Sequence, residues 1–191
     1  MSLIDDDKPY IVQVPDVIDA DQCQALITRI ESLKPAIAPI NSMSGTRVRT
    51  DIRNNERVMF DDPELAEIFF QQAIAHVPDQ MHGRRPVGAN ERIRCYRYKP
   101  GMRFAPHSDG AFIRDETEMS FYSYLVYLNC EFEGGQTTFL TEPEIQIEPQ
   151  TGWGLIFQHP LLHEGSEVTS GTKYVARTDL MYRKIAAEFC E

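Results

Sequence analysis

Three side chains in this sequence could together hold a reactive metal: His107, Asp109 and His163. Residues i and i+2 of a β-strand point to the same face. His107-Ser108-Asp109 can therefore offer a nitrogen and a carboxylate oxygen to one point. The third donor has to come from elsewhere, and His163 stands at the start of a later strand-like stretch. Two imidazoles and one carboxylate on one side of a divalent ion leave three coordination positions open, which suits non-haem Fe(II) oxygenases. A chelating co-substrate can take two of them and dioxygen the third. A structural zinc would want four closed ligands, usually with cysteine. Cys23, Cys95, Cys130 and Cys190 are scattered, with no Cys-x-x-Cys pair.

Taken singly, each piece is ordinary. His-x-Asp triplets occur by chance as surface pairs, and a lone histidine such as His163 is more often a core or surface residue than a ligand. His159, beside Pro160, has no matching motif and reads as a loop histidine. Lys173 lies ten residues after His163, past Thr169-Ser170-Gly171-Thr172, and on spacing alone it is a turn lysine. Carried into a barrel interior, its charge would need an anion. A dicarboxylate co-substrate would supply one, with one end on iron and the other on the lysine.

The elements that must position these groups divide into a helical N-terminal third and a β-rich remainder. Tyr10 to Val14 reads as a short strand. Asp19 with Gln22 forms a capping box ahead of Cys23, Leu26, Ile27, Ile30 and Leu33 at helical spacing, and Pro35 ends the run. Asp62-Pro63 opens a second helix with the stripe Leu65, Ile68, Phe69, Ala73 and Val77. Asn41 to Asn55, rich in Ser, Gly, Asn and Arg, reads as a long loop, either a lid or disordered. Its arginines, with Arg57, suggest a solvated face, although Arg47, Arg49, Arg53 and Arg57 could also bind an anion. From Glu91 the pattern turns to strands: Ile93–Tyr98, Phe121–Leu128, Gln136–Leu140, Ile145–Glu148, Trp153–Phe157, His163–Val168 and Tyr174–Tyr182. About eight short strands with frequent turns predict a helix-backed β-barrel or sandwich. By parity Lys173, Val175, Arg177 and Asp179 share one face, and Arg94 and Tyr96 share that of Tyr98.

Three motifs in order give a family resemblance. Tyr98-Lys-Pro-Gly-Met-Arg-Phe-Ala-Pro-His107-Ser-Asp109 resembles the first metal-binding segment of prolyl-4-hydroxylase-type Fe(II)/2-oxoglutarate-dependent dioxygenases. Tyr127-Leu128 followed by Gly134-Gly135-Gln136-Thr137-Thr138-Phe139 resembles their Tyr-Leu and Gly-Gly-x-Thr-x-Phe stretch. His163-Glu-Gly165-Ser-Glu-Val168-Thr-Ser-Gly171-Thr-Lys173 resembles their His-x-Gly-x-x-Val-x-x-Gly-x-Lys ending.

The resemblance spans roughly residues 91 to 183 and implies a double-stranded β-helix, a jelly-roll, cupin-like barrel. It divides one domain, 1–191, into N-terminal helical support and lid (1–90) and a β-helix core (91–185). It implies Fe(II) on His107, Asp109 and His163, and 2-oxoglutarate on Lys173 and Tyr98. Ser123 stands where the family often has a threonine near the co-substrate. Arg177 is the alternative 2-oxoglutarate anchor, or else a substrate ligand or a partner of Asp179. Dioxygen is the oxidant and ascorbate a candidate accessory reductant. The implied reaction hydroxylates a C–H bond of a peptide or protein residue and yields succinate and CO2. A free amino acid or small metabolite is the alternative substrate. A cupin-type metal-binding protein without catalysis is the rival from another class.

Bulk properties bound these expectations. The 191 residues suffice for one domain. A net charge of −10 repels phosphate backbones, which disfavours nucleic acid as a partner. Met1 to Lys8 lacks the basic start and apolar run of a signal peptide, and no stretch is apolar enough to span a bilayer. With unpaired cysteines, this suggests a cytoplasmic protein. The sequence leaves the oligomeric state open.

Overall fold

The computed structural model describes residues 10–42 and 45–185, so Met1 to Lys8 and Cys190 lie outside the described residues. Among the described residues, sixteen strands and two α-helices follow one another. The first part holds β1 (Ile11–Val14), α1 (Ala20–Ser32), β2 (Ala36–Ile37), β3 (Ile40–Ser42), β4 (Gly45–Arg47), β5 (Glu56–Asp61), α2 (Pro63–Ala73) and β6 (Arg84–Ala89). Then come β7 (Arg92–Tyr98), β8 (Phe104–His107), β9 (Glu118–Tyr127), β10 (Phe132–Gly134), β11 (Thr137–Phe139) and β12 (Ile145–Ile147). The last are β13 (Gly154–Gln158), β14 (His163–Gly165), β15 (Val168–Gly171) and β16 (Lys173–Lys184).

The strands roll into a double-stranded β-helix. The major sheet runs β1-β13-β9-β16-β7-β5-β2, with β6 also paired to β16. Facing it, the minor sheet runs β12-β11-β14-β8. Two apolar cores result. One lies between the outer face of the major sheet and the helices, and holds Ile30, Phe69, Tyr122, Tyr124, Ile156 and Leu180. The other fills the roll, with Tyr96, Tyr98, Tyr127, Phe139, Phe157 and Val175. Alternation along β9 and β16 feeds both cores, which is why these strands are buried on both faces. Each fully buried large side chain contributes about 1.5–3 kcal/mol.

Both helices begin as their sequences require. The Gln22 amide donates to Asp19 Oδ1 at 2.8 Å, and the Gln22 side chain takes the Asp19 N–H in return. Asp62 accepts from the Leu65 amide at 3.0 Å, ahead of Pro63 in the first turn. The second stripe is shorter than expected. It ends at Ala73 and passes into a 3-10 turn over Ile74–His76, although Val77 remains buried.

The N-terminal third is less helical than expected. β5 joins the major sheet against β7, with Arg57 opposite Tyr96 and Met59 opposite Arg94, while β1 and β2 form its edges. Within Asn41–Asn55, β3 and β4 pair as a hairpin, and the end of the segment is tied to the minor sheet. Ala105 donates its N–H to the Ile52 carbonyl at 2.8 Å, and Arg53 bridges to Phe104. Among the described residues from Arg92 onward there are ten strands where seven were expected. The extra ones arise partly because His163–Val168 breaks into β14 and β15. Gly134 has φ 72°, and a Cβ there would lie 2.2 Å from the Glu167 carbonyl oxygen, which explains its place in the Gly-Gly motif. No helix among the described residues is long and apolar enough to cross a membrane.

Candidate active site

β8 and β14 pair so that His163 stands directly opposite His107, with ring centroids 4.3 Å apart. Asp109 completes the group, and the ligating atoms of the three lie within 4.8 Å of one another. The expected common strand is not the reason. β8 stops at His107, and Asp109 lies just beyond it, held by its N–H on the His159 carbonyl at 2.8 Å. His107 Nδ1 meets the Ala105 carbonyl at 2.9 Å, and His163 Nδ1 meets the Leu161 carbonyl at 2.9 Å. A carbonyl can only accept, so each Nδ1 carries the hydrogen and each Nε2 keeps a free lone pair. Those Nε2 atoms lie 3.8 and 3.7 Å from the Asp109 oxygens. Both imidazoles are ready to ligate, because a metal requires the neutral ring.

Electrostatics fix the same protonation. Burial, and secondly the neighbouring His163, push His107 down to about 4. Burial also lowers His163. Asp109 is buried, which alone would raise its pKa. Arg177 and the two histidines outweigh that and hold it ionised well below the usual carboxylate range. Arg177 donates to Asp109 Oδ1 at 2.7 Å and to Asp179 Oδ1 at 3.3 Å. Burial opposes the charge of Arg177, but these two carboxylates keep its pKa above the ordinary value.

A directed hydrogen-bond chain supports the carboxylate. Ser123 Oγ donates to Asp109 Oδ2 at 2.5 Å. Its only hydrogen is then used, so His159 Nδ1, 3.0 Å away, must donate to it. Burial pushes His159 down to about 4, which keeps it neutral. Its Nε2 therefore accepts from Ser120 at 2.7 Å, and Ser120 accepts the Phe112 N–H at 2.8 Å. Sequence reasoning set His159 aside as a loop histidine. It is 3% exposed and braces the triad through both its ring and its carbonyl, a role that no local motif signals.

Lys173 lies opposite Tyr98 in the β16–β7 register, at the other end of a pocket that reaches His163 and Asp109. The lysine is 3% exposed. Its ammonium donates to the Gly135 carbonyl at 2.6 Å and lies 5.3 and 5.4 Å from the rings of Tyr98 and Tyr127. Among the described residues no carboxylate lies within 4 Å of it. Burial drops its pKa to about 7. The same desolvation pushes the Tyr98 phenol up to about 12. A buried ammonium without a counter-ion, facing a metal-ready triad, fits a dicarboxylate that chelates at one end. Arg177 lines this pocket too, whereas Ser123 is fully buried behind Asp109, and both are engaged with that carboxylate. Arg177 also contacts Asp179, as parity suggested.

A second cleft of about 570 Å³ opens on the other side of His107 and Asp109, lined by Arg53, Arg57, Arg94 and Arg177 among others. The arginines of the Asn41–Asn55 region therefore divide. Arg47 and Arg49 are exposed, with Arg49 paired to Asp51 at 2.6 Å, whereas Arg53 is buried and Arg57 half-buried.

Comparison with known proteins agrees with this geometry. Residues 93–178 match the 2OG-Fe(II) oxygenase superfamily. A putative prolyl 4-hydroxylase of Acanthamoeba polyphaga mimivirus is 26% identical, over 96% of this chain and 78% of its own. A Pseudomonas putida prolyl-4-hydroxylase structure superposes with a TM-score of 0.67 at 19% identity, covering 93% of this chain and 95% of that one. A Trichoplax adhaerens prolyl hydroxylase in complex with a hypoxia inducible factor peptide fragment gives 0.70 at 14% identity, covering 91% and 84%. The matched segment carries the triad, Lys173 and Arg177 on the same roll of strands, and over residues 93–178 the chain is similar to 2OG-Fe(II) oxygenases, with prolyl 4-hydroxylases among its relatives.

Proposed function

We propose that the protein hydroxylates a C–H bond in a residue of a peptide or protein, as prolyl hydroxylases do. His107, Asp109 and His163 would hold Fe(II), and Lys173 with Tyr98 would hold the far carboxylate of 2-oxoglutarate. When bound, Fe(II) and 2-oxoglutarate would supply the chemistry that divides dioxygen, one oxygen entering succinate as CO2 leaves and the other entering the substrate C–H. The chain's own residues do the positioning. Ser123 and Arg177 fix the Asp109 carboxylate, the Ala105 and Leu161 carbonyls fix the two imidazoles, and the aromatic lining keeps water out. The observation that carries this reading is the meeting of an oriented His-Asp-His triad and an uncompensated buried ammonium in one pocket.

Two assignments support the reading from the surroundings. The Ile52–Arg53 end of Asn41–Asn55 is tied to β8 beside His107, where a lid would close. A cytoplasmic location accords with Cys23, Cys95 and Cys130 being free thiols. The peptide reading draws on the Trichoplax relative, which is a peptide complex.

The test is aerobic incubation of the purified chain with Fe(II), 2-oxoglutarate and proline-containing peptides. The expected result is peptide-stimulated succinate release and a product 16 Da heavier, the mass of one added oxygen atom, both lost in Asp109→Ala. Succinate released only with free amino acids would move the substrate to a small metabolite. No succinate under any condition would favour the cupin-type binding protein.

A further inference from the structure

The cleft beside the triad carries more positive charge than its own carboxylates can balance. Arg53, Arg57, Arg94 and Arg177 line it, and the carboxylates that pair with any of the four among the described residues are Asp109 and Asp179. Four guanidiniums against two carboxylates leave an excess of two positive charges. Bound Fe(II) and the 2-oxoglutarate dianion would cancel each other and leave that excess in place. Arg94 meets Asp179 at 2.8 Å, and Arg177 is shared between Asp109 and Asp179. Among the described residues Arg53 and Arg57 have no carboxylate within 4 Å.

Arg53 is the most telling of the four. It is 6% exposed, its Nε donates to Asn55 Oδ1 at 2.7 Å, and its buried Nη2 has no hydrogen-bond partner among the described residues. Its guanidinium lies over the Phe104 ring at 4.2 Å and over the Tyr96 ring at 4.7 Å. The Phe104 ring in turn stacks on His107 at 3.5 Å. The unsatisfied donor is thus one ring's thickness from a triad side chain. A buried donor left unmade costs free energy, and a guanidinium is shaped to grip a carboxylate. The field is felt by the neighbours as well. Burial would raise the Tyr96 phenol, yet Arg53, Arg177 and Arg94 bring it below its ordinary value. Burial lowers Arg57, Tyr96 partly offsets it, and Arg53 and Arg94 push it down further.

We propose that Arg53, Arg57 and Arg94 form a subsite for an acidic side chain of the peptide substrate, next to the residue that is hydroxylated. This rests on the oxygenase reading above and adds a sequence preference to it. Neighbouring residues along a chain are 3.8 Å apart at Cα. A Glu or Asp side chain one or two positions from the reacting residue therefore spans the Phe104 ring. The acidic exterior of the protein, with a net charge of −10, makes the local positive excess more selective.

The test uses two peptides, acetyl-Ala-Pro-Glu-Ala-amide and its Gln counterpart, together with versions that carry the charge before the proline. Each is titrated into the full chain loaded with Mn(II) and 2-oxoglutarate, which binds without turnover, and the affinity is read by calorimetry. At least one acidic peptide is expected to bind about 10- to 100-fold more tightly than its Gln partner. That preference should fall to about threefold or less in Arg57→Gln and persist in Arg57→Lys, with circular dichroism confirming that both variants fold. Equal affinities, no peptide binding, or a preference that survives Arg57→Gln would overturn the subsite. Free N-acetylglutamate binding as tightly as the best peptide would overturn the peptide assignment. The oxygenase reading is judged separately, by 2-oxoglutarate consumption with Fe(II), so the two can fail independently.

Discussion

Replacing Lys173 with methionine removes a charge but little volume. Burial has brought this ammonium from 10.5 to about 7, with Glu148 acting weakly the other way. That corresponds to on the order of 5 kcal/mol against the charged form in the folded state. Below pH 7 the whole cost falls on folding, because the unfolded chain binds the proton like any lysine. Between pH 7 and 10.5 the unfolded chain holds more protons than the folded one, so this residue makes stability rise with pH. Methionine removes the penalty but also the hydrogen bond to the Gly135 carbonyl, at a cost of about 1–3 kcal/mol. The ligand-free Lys173→Met chain should therefore gain about 2–4 kcal/mol at pH 6.5, a Tm rise of roughly 5–10 °C. By pH 10 the gain should vanish. Binding of 2-oxoglutarate should show the reverse side of the same linkage. At pH 8 the free lysine is about one-tenth protonated, so pairing it with a carboxylate draws in roughly 0.9 proton per ligand. Scanning calorimetry at the two pH values tests the first expectation. Titration of the Mn(II)-loaded parent chain in buffers of different ionisation heat tests the second. A lower Tm for the variant at pH 6.5, or 2-oxoglutarate binding without proton uptake, would refute the reasoning.

Two further outcomes follow from the site and its frame. Ser123→Ala deletes the hydroxyl that joins Asp109 to His159, and Mn(II) affinity measured by calorimetry should fall about 10- to 100-fold, with recovery in Ser123→Thr. Unchanged affinity in the alanine variant would remove Ser123 from the support of the metal. Gly134→Ala drives a Cβ against the Glu167 carbonyl and should cost more than about 3 kcal/mol in urea unfolding. Gly88→Ala, with nothing within 4 Å of its Cβ, should change stability by less than about 1 kcal/mol. Equal effects from the two substitutions would contradict the steric account.

Much of this architecture is legible because its signals are local. Asp19 with Gln22, and Asp62 with Pro63, announce both helices by cap chemistry, and the alternation in Ile93–Tyr98 announces most of β7. The triad is legible only through the order of three motifs, since pairing His163 with His107 is a matter of sheet register that no single stretch encodes. β5 was hidden because Arg57 and Met59 break the usual apolar alternation, Arg57 facing the cleft and Met59 remaining exposed. His159 was hidden for a related reason, since its significance lies in hydrogen bonds to residues distant in sequence. Arg53 stood out only as one of four arginines that could bind an anion, because its ring contacts are with Tyr96 and Phe104, far along the chain.

β16 brings Lys173, Arg177 and Asp179 to one face along a single stretch of backbone. Its pairing with β7 and β9 works like the rail of a jig, setting the spacing between Lys173, the proposed anchor for one end of the co-substrate, and Arg177, the clamp on Asp109. A slip of one residue would turn all three outward together. A misregistered chain would therefore be wholly inert rather than weakly active, and the active fraction of a refolded sample would directly count the molecules whose strands had aligned.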